Sequence, residues 1–196
     1  MATFGSGTFG GTTTDATEAG PLAALAELAD YQRRDLGGVE ATAGLALAGA
    51  SGMVRDYLGW SVSAESTTFT LDGTGTPLLA VPTLRLTDVT EVRLDGVALA
   101  AGTWTWSARG HVRRTAGVWP DTFRCVELDC SHGYDPVPDA VKLIVLSVAT
   151  RAMTNPTEPG LILKTVGAIS RRWNRAADDV ALTALETAVI DRYRLP

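Results

Sequence analysis

Apolar positions recur along this chain with two periods, and the change of period divides it. From Val39 to Leu58, the residues Val39, Ala43, Ala46, Leu47, Ala50, Met53, Val54, Tyr57 and Leu58 share one side of a helix, which Gly59 closes. From Ser61 to Cys130 the period drops to two. Phe69/Leu71, Leu79/Val81, Val92/Leu94, Val97/Leu99, Trp104/Trp106 and Val126/Leu128 alternate with their neighbours, as strands with one buried face do. Turn chemistry separates these pairs at Asp72-Gly73, Asp95-Gly96, Arg109-Gly110 and Trp119-Pro120-Asp121. The helical period then returns: Val141, Ile144, Val145, Val148, Ala149 and Ala152 form a stripe. Pro138 suits its first position, Asp139 complements the positive helix start, and Asn155-Pro156 is the stop. Leu143 and Leu146 fall outside the stripe, so this helix is expected to be covered on two sides.

The pattern predicts an α+β fold, a helical core of about four helices with an inserted antiparallel β-sheet or small barrel of five to seven strands. A parallel sheet would need crossover helices, and the pattern shows none. The first helix spans Pro21 to Arg34, with Leu22, Leu25, and Leu28 or Ala29 on one face; the last begins at Asp178-Asp179, with Leu182, Leu185, Val189 and Tyr193 as its stripe. The expected organisation is an arm at 1–20, a helical core at 21–60 and 131–196, and a β unit at 61–130. The junction at 131–138, broken by Gly133, Pro136 and Pro138, must then anchor the sheet to the helices. Gly44, Gly49 and Gly52 each cost the second helix roughly 1 kcal/mol against Ala. They point to close approach of another backbone, from this subunit or a neighbour.

Two segments carry no clear period. Residues 157–177 read as irregular, with Lys164, Arg171, Arg172 and Arg175 against the single acid Glu158, and Trp173 among the arginines. Such a loop suits docking to an acidic protein surface, with the tryptophan as anchor. Residues 1–20 contain five Gly and six Thr, with Phe4 and Phe9 the only large side chains. This segment reads as a disordered tail, or as an arm ordered only against a partner.

Composition narrows the function. A net charge of −5 in 196 residues argues against a protein that grips phosphates, though not against one that lets DNA pass. Cys125 and Cys130 stand at an odd spacing in a strand, on opposite faces, so they are expected as free thiols. No apolar run approaches the roughly 20 residues of a membrane span. The start lacks the basic and apolar regions of a signal peptide, and synthesis is expected in a reducing interior such as a bacterial cytoplasm. Neither a cofactor nor a metal is expected, because two histidines and two misaligned cysteines make no zinc set. Ser131, His132 and Asp135 are too close in sequence to converge as a nucleophilic relay. His132 reads as a turn residue bonded to the backbone, and His111 as solvent-facing.

In order and spacing the chain resembles the head-tail connector (adaptor, or head-completion) proteins of long-tailed bacteriophages. The likeness lies in Ser51-Gly52-Met53-Val54-Arg55-Asp56-Tyr57-Leu58-Gly59-Trp60, Leu71-Asp72-Gly73, Val92-Arg93-Leu94-Asp95-Gly96 and Gly117-Val118-Trp119-Pro120. It continues through His132-Gly133-Tyr134, Val137-Pro138-Asp139-Ala140-Val141-Lys142 and Val166-Gly167-Ala168-Ile169-Ser170, and covers about residues 20–196. The resemblance implies a virion protein of the head-tail interface with no enzymatic reaction. It implies a homo-oligomeric ring, typically dodecameric, beneath the portal protein, contacting a stopper or tail-completion protein. DNA would pass through its channel without sequence-specific binding. On that reading the portal-docking candidates are Lys164, Arg171, Arg172, Trp173, Arg175, Tyr193 and Arg194. The alternative is a β-rich binding module for carbohydrate or a capsid surface, with Trp104, Trp106 and Trp119 as its platform.

Overall fold

The structure, a computed structural model, describes residues 20–154, 163–166, 169–172 and 181–195. Four helices and nine strands are formed among them: α1 (Leu25–Gln32), α2 (Glu40–Leu58), β1 (Glu65–Leu71), β2 (Leu78–Ala80), β3 (Leu86–Leu94), β4 (Val97–Ala98), β5 (Trp104–Ser107), β6 (His111–Arg114), β7 (Val126–His132), α3 (Asp139–Thr154), β8 (Leu163–Val166), β9 (Ile169–Arg172) and α4 (Ala184–Ile190). A short 3-10 turn, Asp191–Tyr193, follows α4.

Helices α2 and α3 pack against each other, and α1 and α4 flank them. The α3 stripe is buried as its spacing requires: Val141, Val145, Val148 and Ala149 have no exposed surface and Ile144 very little. Each of the larger side chains stabilises the fold by about 1.5–3 kcal/mol on burial. Cover on a second side holds for Leu146, which is buried, but fails for Leu143, which is 55 % exposed. Helix α2 buries Ala43, Leu47, Ala50, Val54 and Leu58, and ends where Gly59 adopts a left-handed conformation and its N–H returns to the Arg55 carbonyl. Helix α1 is shorter than its pattern predicts. The Glu27 carboxylate accepts from the Ala24 N–H, fixing the start, and Arg33 at φ 53° ends the helix. Lys142 then ties Glu27 to α3 at 2.8 Å.

The strands form two open sheets plus a separate hairpin, not a barrel. The first sheet has the order β1-β7-β3-β4 and the second β2-β6-β5, with every pairing antiparallel. Central β7 alternates cleanly, with Val126, Leu128, Cys130 and His132 turned inward. Strand β3 buries Leu86, Val89 and Val92 at intervals of three, because two register shifts against β7 each insert a residue and reset its inward face. Asp95 (φ 49°) and Gly96 (φ 77°) make the tight β3–β4 turn with both central residues left-handed. Leu79 and Val112 of the second sheet, with Val81 just after β2, meet Val89, Val92, Val126 and Leu128 of the first in one core, with Trp119 fully enclosed. Cys125 and Cys130 both lie in that core as free thiols. The expectation of opposite faces fails because Cys125 precedes the strand, and Arg124 at φ 53° turns the chain there.

Two further expectations need correction. Within the stretch expected to be irregular, β8 and β9 pair as a two-stranded hairpin. The last helix starts at Ala184, where Thr183 caps it and Glu186 bonds back to the Thr183 N–H. Its buried residue is Ile190; Leu185 and Val189 are exposed, contrary to the predicted stripe. Residues 1–19, Trp173, Arg175 and the expected start at Asp178-Asp179 lie outside the described residues.

Candidate functional site

No reacting centre is assembled among the described residues; what the fold builds with most care is the junction between sheet and helices. Here the chain entering the β unit lies beside the chain leaving it. Tyr134 N–H donates to the Val62 carbonyl, Ala64 N–H to the Tyr134 carbonyl, and Gly133 N–H to the Arg85 carbonyl. Rings surround this seam. Trp60 stands 6.2 Å from both His132 and Tyr134, Phe69 is 5.2 Å from His132, and the Arg85 guanidinium sits 4.6 Å above the Tyr134 ring. The C-terminal turn joins the cluster. Tyr193 meets Tyr134 edge-on at 5.9 Å and its carbonyl accepts from Trp60 Nε1 at 2.6 Å.

Ser131, His132 and Asp135 form no relay and point apart. Ser131 pairs its hydroxyl with Ser66 at 2.8 Å on one face of the sheet, while His132 turns into the core and Asp135 is exposed in the turn. His132 is no backbone-bonded turn residue: it ends β7 and is 2 % exposed. Neither ring nitrogen has a hydrogen bond, and Glu65 approaches Nε2 at 3.4 Å without the alignment for one. His111 is exposed as expected. Burial pushes the Cys130 thiol up to about 11, so it is not an activated nucleophile. Among the described residues no three His, Cys, Asp or Glu side chains group to hold a metal. Trp119 is wholly buried and Trp104 half-buried, so the tryptophans do not make an exposed platform.

Burial holds the His132 imidazole below its ordinary 6.5, against a smaller opposing effect from Glu65. The folded state therefore binds this proton less readily than the unfolded chain. Its stability contribution is intact above pH 6.5 and falls as pH drops through that value. A second loss comes lower. Burial alone would raise the Glu186 carboxyl, but hydrogen bonds from Arg151 and Thr183 outweigh it and bring it to about 2 from 4.5. That contribution is present above pH 4.5 and fades as pH falls towards about 2. His132→Phe is expected to keep the aromatic contacts and remove only the upper step. Melting temperatures measured from neutral to acid pH check this. Parallel curves for variant and parent between pH 6.5 and 4.5 would contradict it.

The outer face of the first sheet is acidic. Arg93 bridges Glu91 at 3.0 Å, Glu127 at 3.1 Å and Asp129, leaving two negative charges in excess, and Thr68 also donates to Asp129. The basic docking candidates lie elsewhere. Lys164 stands opposite Arg171, and Leu163 opposite Arg172, on the β8–β9 hairpin. Tyr193 and Arg194 are engaged within the subunit, the first in the ring cluster and the second with its guanidinium 5.1 Å from the Tyr57 ring centroid. Leu195 N–H donates to the Leu58 carbonyl, which fastens the end of the chain to α2. The structure thus puts Lys164, Arg171 and Arg172 on the hairpin and Tyr193 and Arg194 against the subunit's own core, while Trp173 and Arg175 lie outside the described residues.

No known family profile matches the sequence, and no curated protein matches it. Solved structures do match the fold. One chain from the neck of an empty gene transfer agent particle, computed with C6 symmetry, superposes with a TM-score of 0.63 at 18 % identity, covering 89 % of this chain and 90 % of that one. The chain has the fold of a particle-neck protein. A second, from the virion of a native gene transfer agent particle, gives 0.65 at 17 % identity with the same coverage of both chains. That coverage spans both the helical core and the two sheets, so the likeness is to the whole arrangement.

Proposed function

We propose that this chain is a structural adaptor of a phage-type virion, forming a ring beneath the portal and extending the channel for DNA. The observation that carries this reading is the shared fold with a particle-neck protein over nearly nine-tenths of the chain. The rest of the molecule fits it. Net charge of −5 and an acidic outer sheet suit a wall past which DNA slides, since few phosphates would be neutralised. Function then resides in contact surfaces rather than in a reaction.

The portal contact falls to Lys164, Arg171 and Arg172 of the hairpin together with Trp173 and Arg175, while Tyr193 and Arg194 hold the last turn to the subunit's core. Cations meet an acidic portal surface, and Trp173 supplies the large apolar anchor that dominates such interfaces. The opposite side of the ring receives a stopper or tail-completion protein.

Imaging the chain mixed with the portal of its own particle tests the reading. A ring seated on the portal is expected, and portals that stay bare overturn it. The docking assignment has a separate test in Trp173→Ala combined with Arg171→Glu and Arg172→Glu. Unchanged melting temperature with at least about tenfold weaker portal binding is expected. Unchanged binding by a folded variant refutes the assignment.

A further inference from the structure

Among the described residues, the outward face of α2 has no partner in its own subunit. No charged residue stands between Glu40 and Arg55. Ala41, Gly44, Leu45, Ala48 and Gly49 are exposed along that side, Leu45 by 75 %, and Gly52 is half-exposed. A Cβ built on Gly44, Gly49 or Gly52 would meet nothing within 4 Å. The glycines therefore serve no packing against the described residues of this subunit, and they leave a smooth track on which another backbone can lie.

The chain before Gly20 supplies a matching segment. Residues 1–14 have no charged side chain, are mostly Gly, Thr and Ser, and carry Phe4 and Phe9 as their only large rings. Where this segment joins the fold also bears on its destination. Leu22 N–H donates to Ser51 Oγ at 2.9 Å, and Arg55 Nη2 to the Gly20 carbonyl at 2.6 Å. These two bonds hold Gly20, where the segment joins the fold, beside Ser51 and Arg55 of the same α2. Nineteen residues reach about 60 Å when extended, while the whole of α2 is about 28 Å long.

We propose that residues 1–19 of one copy lie along the outward face of α2 of an adjacent copy, with a phenylalanine seated in the space the glycines leave beside Leu45. This rests on the reading of the chain as a ring subunit, in which every copy has a neighbour. The contact is heterologous, arm to helix, and repeats head-to-tail around a closed ring. Its central part joins residues 1–14, which carry no charged side chain, to a helix face with none between Glu40 and Arg55, so neither strands a buried charge there.

Cysteine trapping in the full chain tests it. One tagged population carries Thr8→Cys and a second carries Ala48→Cys; the native Cys125 and Cys130 are buried and stay out of exchange. With oxidised glutathione, from micromolar to near-millimolar protein, a mixed disulfide between the populations is expected, rising with concentration. Adding Leu45→Asp to the acceptor, an exposed change that leaves the fold intact, should lower its yield by about tenfold. Three results overturn the proposal. These are no mixed disulfide, an equal yield when the acceptor cysteine stands at exposed Ala100 instead, or an intrachain disulfide in dilute chains carrying both cysteines. The assay needs no portal. A ring on the portal without the disulfide removes this contact alone, whereas the disulfide without a ring removes the adaptor reading.

Discussion

Gly133→Ala is expected to destabilise the protein by at least about 3 kcal/mol, more than the same change at Gly96, a left-handed glycine with open space around it. Gly133 has φ 101°, and a Cβ there would stand 2.1 Å from the Ser63 carbonyl oxygen and 2.7 Å from the Ala64 nitrogen. Both atoms belong to backbone, so no flexible side chain can give way. Left-handed backbone alone costs a non-glycine residue roughly 1–2 kcal/mol. Separating the seam adds the bonds of Tyr134 to Val62 and of Ala64 to Tyr134, each worth about 1 kcal/mol net. Gly96→Ala is the control: φ is 77°, but nothing lies within 4 Å of the added Cβ, so only the conformational strain of about 1–2 kcal/mol applies. Urea denaturation of the two variants measures the difference. Equal midpoints would show that the seam yields and that the sheet is not held rigidly to the helices.

That seam is where the sequence was most informative about position and least about partners. Gly133, Pro136 and Pro138 mark a break between strand and helix, and α3 begins at Asp139, one residue after the proline that the pattern puts first. Nothing in the local pattern says that residues 62–64 lie alongside, because pairing of chain segments some seventy positions apart is decided by tertiary contacts. The same division runs through the rest of the fold. Helices α2 and α3 have stripes long enough to fix their phase. Helix α4 has seven residues, too few for periodicity to choose between Val189 and Ile190. Its true start was nonetheless written in Thr183-x-x-Glu186, the capping box that the structure forms.

The strands divide likewise. Alternation identifies β7 directly, whereas the spacing of three in Leu86, Val89 and Val92 matches no strand template until the two bulges are known. The β8–β9 hairpin had its signal too: only Gly167-Ala168 separates Val166 from Ile169, a loop length typical of hairpins. The basic residues around it suit a solvated loop equally well, so composition does not separate the two. As for candidate contact residues, type and charge point to the hairpin, but only the fold shows that Tyr193 is committed to Trp60 and Tyr134. The unpartnered side of α2 is likewise invisible in sequence, since glycines signal close approach without saying on which side the neighbour lies.

Trp119→Ala should remove about 3–5 kcal/mol, and should do so in the β unit rather than across the whole molecule. Trp119 is the largest fully buried side chain, and it closes the core between the two sheets. Its surroundings are fixed by backbone: its N–H donates to the Thr76 carbonyl, and the next residue's carbonyl presses where a Cβ on Gly73 would stand, 1.8 Å away. Collapse around a deleted indole is therefore resisted, and the cavity term persists. Arg114, with its guanidinium 5.4 Å from the ring centroid, loses its stacking surface as well. The indole Nε1 is buried without a hydrogen bond, so part of the tryptophan's contribution is already offset. Trp119→Phe, which keeps a ring and drops that orphaned donor, should accordingly cost much less than the alanine change. The helical core is a separate cluster of buried residues, joined to this one through the seam. Native-state hydrogen exchange should then show protection falling in β2, β5 and β6 while amides of α2 and α3 hold most of theirs. A uniform loss across strands and helices would mean that the two cores unfold as one unit. A loss below about 1 kcal/mol would mean that Trp119 does not hold the sheets together.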